Sequence, residues 1–479
     1  MSIRTWLRVP RIRRGLAASA VILAAGGLVL VRTPIGAPPR IDPAPSGLVA
    51  TGENSTTFAA PGAHGTFALS QTHVLAGGEW SFFAELDLHA DAAARAQERA
   101  PLSIAVVLDT SGSMAGEKME QAKQAVVRLI RDLRDDDQIA FVRYSTDSEL
   151  VQPLARAGAV RQELIARVQA LVAGGGTNIA PALRQGLRAL SDAGKGRVLR
   201  IVLASDGLDS SRAPSEAIAA ESAERGVTVS SMGIGLDFDA SYMAGVARSG
   251  RGNFAFVNDG PALAAFLHRE LEETASTTIE NATARLALPP GVRFVRAVGA
   301  DAKSLIGGEI ELSLGSLFAG DERRVVIELA TKLDAGETRA VEGRVSWNNV
   351  GGDSAQARIA GLGISGSTDA DQIARGRDGA VLARAMSATA SLRQIEAAEA
   401  YDKGDVQRAQ ALIDQNLVDL RTAQLAAPAL AATALAAQAR SYDEAKRTFA
   451  SAPPKSAAGS MAAKRVLEKD TSNIARSVF

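Results

Sequence analysis

Between residues 102 and about 274, short apolar runs alternate with stretches of helical period, and this alternation constrains the fold more than any other feature of the chain. Residues 102–108, from Leu102 to Leu108, form a nearly continuous apolar run, the pattern of a parallel strand covered on both faces. After it Met119, Ala122, Val126, Leu129, Ile130 and Leu133 recur at spacings of three and four, which is one apolar face of a helix. Residues 139–142, 198–204 and 227–234 repeat the strand signal beside further helical stretches. Parallel strands need crossovers and helices supply them, so residues 101–274 are expected to fold as a doubly wound α/β domain with a mostly parallel sheet.

The texture differs on both sides of that domain. Alternating runs around Phe67-Ala68-Leu69 and Trp80-Ser81-Phe82-Phe83 flank Gly77-Gly78 and suggest a hairpin. Short alternating runs return at 284–288, 310–314 and 325–329, punctuated by Gly and Asp. An isolated hairpin is marginal in water, so the 66–89 segment is expected to pair with strands from 279–365. That makes the α/β domain an insertion in, or flanked by, an antiparallel β-sandwich. Beyond Asp369 the chain is Ala-rich and helical, with Gly404-Asp405 as a stop and a new N-cap, and Pro428 suited to the first turn of a third helix. The expected divisions are 61–100 and 275–366 for the two parts of the β domain, 101–274 for the α/β domain and 367–479 for an α-helical region.

The N-terminus carries an address. Arg4, Arg8, Arg11, Arg13 and Arg14 precede an uncharged run of 17 residues, 15–31, closed by Arg32. As a helix the run is about 26 Å long, just short of a hydrocarbon core of about 30 Å. The segment after it offers Ala37 for cleavage, with Ile35 at −3 and Pro38 behind it, a poor signal-peptidase site. Residues 15–31 are therefore expected to be an uncleaved signal-anchor, with 1–14 in the cytoplasm by the positive-inside rule and the body outside the inner membrane. Cleavage would make the protein secreted. Residues 32–60, with five prolines, read as a semi-extended tether.

Composition narrows the chemistry. Lys plus Arg number 53 and Asp plus Glu 53, so no basic surplus points to nucleic acid. The bias of 43 Arg to 10 Lys, with abundant Ala and Gly, suggests a GC-rich bacterial genome. The absence of Cys excludes disulfides, thiolate zinc sites and catalytic thiols. The four His, at 64, 73, 89 and 268, are scattered, so any metal is expected to be held by oxygen. Three polar loops fall at carboxyl ends of strands, where open α/β sheets bind ligands. They are Asp109-Thr110-Ser111-Gly112-Ser113, Gly174-Gly175-Gly176-Thr177-Asn178 and Ser205-Asp206-Gly207. Asp109, Ser111, Ser113, Thr177 and Asp206 are all hard oxygen donors with two carboxylates among them, a set suited to Mg²⁺ or Mn²⁺.

The motif Asp109-x-Ser111-x-Ser113, followed by Thr177 in a Gly-rich loop and Asp206-Gly207 after a strand, resembles the metal-ion-dependent adhesion site of von Willebrand factor type A domains. The resemblance covers about 101–274 and all five positions. It departs at Ser205, where Thr is common, which leaves the carboxylate in place. The β segments look, more loosely, like the flanks in bacterial relatives and inter-alpha-trypsin inhibitor heavy chains. The resemblance implies that the two Ser and the Thr bind the metal directly or through water, and that the two Asp act largely through water. A partner's Glu or Asp would complete the shell. The expected function is a non-enzymatic, divalent-metal-dependent protein-binding module for adhesion or assembly, displayed in the cell envelope. Its partners are a protein presenting a carboxylate, and the membrane through the N-terminal helix. The alternative is an assembly subunit in which the metal only stabilises the fold. An enzyme is disfavoured because no nucleophile elbow occurs and no His or Glu is placed as a base.

Other candidates read as structural. Asp135-Asp136-Asp137 reads as a solvated turn, and Asp237 with Asp239 as the cap of the following helix. Residues 399–409 resemble the turn of a tetratricopeptide pair, but one unit cannot stack into a groove, so a packed helical hairpin is expected. Gly174 to Gly176 lack the Lys-Ser/Thr of a phosphate loop.

Overall fold

The computed structural model describes residues 54–92, 101–194, 196–206, 209, 211–235, 238–257 and 259–476, so the expected anchor and all but the end of the tether lie outside the described residues. Among the described residues no helix is long and apolar enough to cross a membrane. The chain begins with β1 (Ser55–Ala60), β2 (Ala63–Leu69), β3 (His73–Leu75) and β4 (Glu79–Ala90). The α/β insert follows as β5 (Leu102–Asp109), α1 (Glu117–Asp132), β6 (Gln138–Tyr144), β7 (Ser148–Arg156), α2 (Ala157–Gln169), α3 (Ile179–Ala189), β8 (Val198–Ser205), α4 (Arg212–Glu224), β9 (Val227–Ile234), α5 (Ala240–Ser249), β10 (Arg251–Val257) and α6 (Gly260–Ala275). Strands β11 (Thr277–Ala287), β12 (Val292–Val298), β13 (Asp301–Ser304), β14 (Glu309–Phe318), β15 (Glu322–Lys332), β16 (Thr338–Asn349) and β17 (Ser354–Ser367) come next. Helices α7 (Ala370–Arg375), α8 (Gly379–Asp402), α9 (Val406–Ala426), α10 (Ala429–Ser451) and α11 (Ala457–Arg476) close the described chain.

The insert holds one sheet in the order β10-β9-β8-β5-β6-β7, parallel throughout except for the β6–β7 edge pair. Every residue of β5 and of β9 is buried, as expected of strands covered on both faces. Helix α1 presents Met119, Ala122, Val126, Leu129 and Ile130 to one face of the sheet, the residues whose spacing predicts that helix. On the other face α3, α4 and α5 pack around Ile201 and Leu203.

The flanking strands form two sheets, β1-β2-β4-β15-β12 and β13-β14-β11-β16-β17-β3, whose inner faces share one core containing Phe67, Phe82, Leu86, Leu312, Ile327 and Trp347. Strand β4 pairs antiparallel with β15 over eleven positions, Glu79 opposite Lys332 to His89 opposite Glu322, so chain before and after the insert is woven into one sandwich. Gly65 sits where a side chain could not: a Cβ there would stand 2.1 Å from the Asp87 carbonyl oxygen.

Three sequence expectations change in detail. Strands β2 and β4 do pair, but the chain between them is not a tight turn at Gly77-Gly78; it crosses as β3 to pair in parallel with β17 in the opposite sheet. Residues 55–60, read as the end of the tether, form an edge strand on β2. Asp137 is not solvated: it is 1% exposed, and its carboxylate accepts hydrogen bonds from the amides of Leu102 (3.3 Å) and Arg134 (2.8 Å). Asp135 does lie at the surface, paired with Arg161 at 2.6 Å. Of the Asp237 and Asp239 pair, Asp239 caps α5 by accepting from the Tyr242 amide at 2.9 Å, whereas Asp237 lies outside the described residues. The turn at 403–405 joins α8 and α9 into a packed hairpin, with Gly404 at φ +90° and Asp405 capping α9.

Candidate functional site

The carboxyl ends of β5 and β8 carry the site. Asp109 is the last residue of β5 and is fully buried; Ser111 and Asp206 are each 1% exposed, while Ser113 lies open on the 3₁₀ turn that follows. One Asp109 oxygen accepts the Ser111 amide at 2.7 Å and the other accepts the Ser205 hydroxyl at 2.6 Å. The Ser111 and Ser113 hydroxyls are 3.0 Å apart, and Ser113 donates to Asp206 Oδ1 at 2.8 Å. Four of the five expected side chains thus form one cluster running from the buried strand end to the surface.

Thr177 reaches the same rim through its loop. Gly174 donates its amide to the Thr110 carbonyl at 2.8 Å, and the Gly175 carbonyl accepts the Gly112 amide at 3.0 Å. Thr177 is half-buried, and among the described residues its hydroxyl makes no hydrogen bond to the other four. Gly175 needs its φ of +85°, a left-handed conformation that β-branched or bulky residues avoid. The step from Thr177 into α3 is held from outside by Asp209, whose carboxylate accepts the Ile179 amide at 2.8 Å and the Tyr242 hydroxyl at 3.2 Å.

Electrostatically the site is acidic and buried at its floor. Burial pushes the Asp109 carboxyl above the ordinary carboxylate range, against the hydrogen bonds from Ser205 and Ser111, and Asp206 repels it further. Sequence reasoning did not find Lys118. From the first turn of α1 its ammonium lies 2.5 Å from Asp206 Oδ2 and 3.4 Å from the Ser113 carbonyl oxygen. Gly235 makes room for it, since a Cβ there would stand 3.0 Å from Lys118 Cε. A cation therefore already stands on Asp206, which shows that this donor set draws positive charge. Hard oxygens with two buried carboxylates fit a small divalent ion.

A second group corrects the expectation of scattered imidazoles. The β2–β4 register sets His64 opposite His89, and their rings stack 5.3 Å apart. His89, Asp87 and Glu322 bring ligand atoms within 4.8 Å of one another. Arg324 lies among them, 2.9 Å from Asp87 and paired with Glu322, so one cation within the protein already offsets part of this charge.

These features define a doubly wound α/β domain with an oxygen-lined crevice at the carboxyl edge of its sheet. Residues 103–269 match the von Willebrand factor type A domain family, and the chain contains that domain. An Escherichia coli (strain K12) protein, "Uncharacterized protein YfbK", is 29% identical over 221 residues, 44% of this chain and 38% of that protein. "Uncharacterized protein sll0103" of Synechocystis is 28% identical over 247 residues, 48% of this chain and 57% of that protein. The chain thus spans 38% and 57% of the lengths of these two relatives. Human inter-alpha-trypsin inhibitor heavy chain H3 is 37% identical over 95 residues, 19% of this chain and 11% of that protein. Among solved structures, a von Willebrand factor type A protein from Catenulispora acidiphila superposes with TM-score 0.67 at 19% identity, covering 89% of this chain and 98% of that one. The ArnB paralog VWA2 from Sulfolobus acidocaldarius gives TM-score 0.58 at 14% identity, covering 86% and 98%. At these identities the likeness is one of fold, and it extends beyond the α/β domain.

Proposed function

We propose that the α/β domain is a non-enzymatic, divalent-cation-dependent protein-binding module. Ser111, Ser113 and Thr177 would hold Mg²⁺ or Mn²⁺, with Asp109 and Asp206 supplying the balancing charge. Bound there, the ion offers an electrophilic position that favours an anionic oxygen, so the partner is a protein that presents an Asp or Glu carboxylate. The observation that carries this reading is the convergence of the Asp109, Ser111, Ser113 and Asp206 side chains at one sheet edge, with the Lys118 ammonium drawn onto Asp206. Display outside the inner membrane, with the N-terminus cytoplasmic, belongs to the same proposal and is supported by the arginine-flanked run at 15–31. Mapping the mature N-terminus by mass spectrometry tests that part, and a start between about 20 and 45 would refute it.

The site is tested by calorimetric Mn²⁺ titration of the full chain, wild type against Asp109→Ala, beside circular dichroism. Asp109→Ala should abolish binding and leave the sheet folded, while Thr177→Ala, losing one neutral oxygen, should weaken it less. Equal Mn²⁺ affinity in wild type and Asp109→Ala would refute the site. Loss of the fold in Asp109→Ala would favour the reading in which the metal stabilises an assembly subunit.

A further inference from the structure

A cavity of about 360 Å³ lies where the α/β insert, the sandwich and the helical region meet. It opens at the amino end of β10, the opposite edge of the sheet from the Asp109 site. Most of its wall is apolar, with Val298, Leu314, Leu392, Ile395 and Ile474 contributed by both sheets of the sandwich and by α8 and α11. Arg248 and Arg251 come to the same wall, with Asp301 the carboxylate residue beside them.

Arg251 is the unusual member. Its φ of 57° is left-handed, at the point where the β10–β9 register shifts. A non-glycine residue there is strained, and such strain persists only where the surroundings enforce it. The surroundings do enforce it, because Gly315, itself at φ +81°, leaves the space that Arg251 fills; a Cβ on Gly315 would stand 3.1 Å from Arg251 Cδ. The guanidinium so placed is poorly satisfied. Its Nε is buried without a hydrogen-bond partner, and its bond to the Ala223 carbonyl is long at 3.3 Å. Burial disfavours its charged form, with Asp301 and Glu224 only partly opposing. An arginine keeps its charge even so, and an under-paired, half-buried guanidinium on a largely apolar wall is a strong attractor for a carboxylate or phosphate.

We infer that this cavity binds an amphipathic anion, a carboxylate or phosphate head on a short aliphatic chain, with Arg251 and Arg248 on the head and the Leu392–Ile474 side against the chain. The volume is at the small end for ligand sites, which run from about 300 to 1,000 Å³, so a single medium-length chain fits it better than a two-chain lipid.

The test is calorimetric titration of the full chain with sodium decanoate and with octyl phosphate, both below their micelle concentrations. 1-Decanol and inorganic phosphate serve as the chain alone and the head alone. At least one of the two anions should bind at least tenfold more tightly than either control, and which one binds separates a carboxylate from a phosphate ligand. Arg251→Gly removes the guanidinium and relieves the backbone, so the protein should melt no lower than wild type while its affinity falls at least tenfold. Leu392→Trp, which fills the apolar end and keeps every charge, should also weaken binding. Unchanged affinity in Arg251→Gly, decanol binding as tightly as decanoate, or no binding of either anion would each overturn the inference.

Discussion

Lys118 should compete with the metal, and replacing it with Met gives a prediction with two opposite signs. The Lys118–Asp206 pair is 2.5 Å long, with the lysine side chain 29% exposed and the aspartate side chain fully buried. At an effective dielectric constant of about 20, two unit charges 4 Å apart attract by about 4 kcal/mol before other costs. Desolvation of the ammonium and the ordering of a long side chain remove much of that, leaving a net value of about 1–2 kcal/mol. A divalent ion must break this contact, so Lys118→Met should raise Mn²⁺ affinity by roughly 5- to 30-fold. Without metal the same change leaves the Asp206 charge buried and uncompensated, so the melting temperature in chelator should fall, and Mn²⁺ should restore it. Calorimetry at fixed ionic strength and thermal melts with and without Mn²⁺ read the two effects. A lower Mn²⁺ affinity in Lys118→Met would refute the competition, because it would make Lys118 a residue that orients Asp206 for the ion.

Two further expectations rest on buried carboxylates. Ser205→Ala removes the 2.6 Å hydrogen bond to Asp109 and should cost about 1–3 kcal/mol, read as a lower urea midpoint at unchanged slope. Asp470 is 1% exposed; burial pushes its carboxyl up to about 6, opposed by hydrogen bonds including the 2.6 Å one from Tyr442. The folded protein therefore holds this proton more tightly than the unfolded chain does, and the stability it contributes is full below about pH 4 and lost as pH rises through about 6. Asp470→Asn should gain up to about 3 kcal/mol over wild type at neutral pH and almost nothing near pH 4, measured by denaturant unfolding at both. An equal gain at the two pH values would remove Asp470 as the cause.

What the sequence reveals and conceals follows from where each residue's partners lie. Strands buried on both faces advertise themselves by unbroken apolar runs, so β5, β8 and β9 are legible. Strand β7 is not, because at the antiparallel edge its sequence SELVQPLAR alternates poorly and includes a proline. The Asp109, Ser111 and Ser113 motif is local and can be read directly. Lys118 looks like any lysine near the start of a surface helix, and only folding brings it to Asp206, 88 positions away. Asp209 is equally silent, since it acts by holding the start of α3 beside Thr177. In Asp135-Asp136-Asp137 the local pattern reads as solvent for all three, yet the third turns inward because the Leu102 amide at the start of β5 needs an acceptor.

The helical region packs along the insert from one edge of its sheet to the other. The insert joins the sandwich at the amino edge of its parallel strands, where β5 begins and α6 ends, so the Asp109 loops face away from the sandwich. Helix α11 spans the distance between those two edges. In its first half Lys464 donates to the Phe238 carbonyl at 2.7 Å and covers the Phe238 ring. Ten residues later Ile474 lines the cavity beside Arg251, about 15 Å along the helix axis. The base itself is stiffened by the buried Arg200–Glu270 pair and by Asn253, which donates to Glu270 at 2.6 Å and Glu273 at 2.7 Å. The helical region therefore touches both edges of the insert's sheet, through Lys464 at Phe238 and through Ile474 beside Arg251.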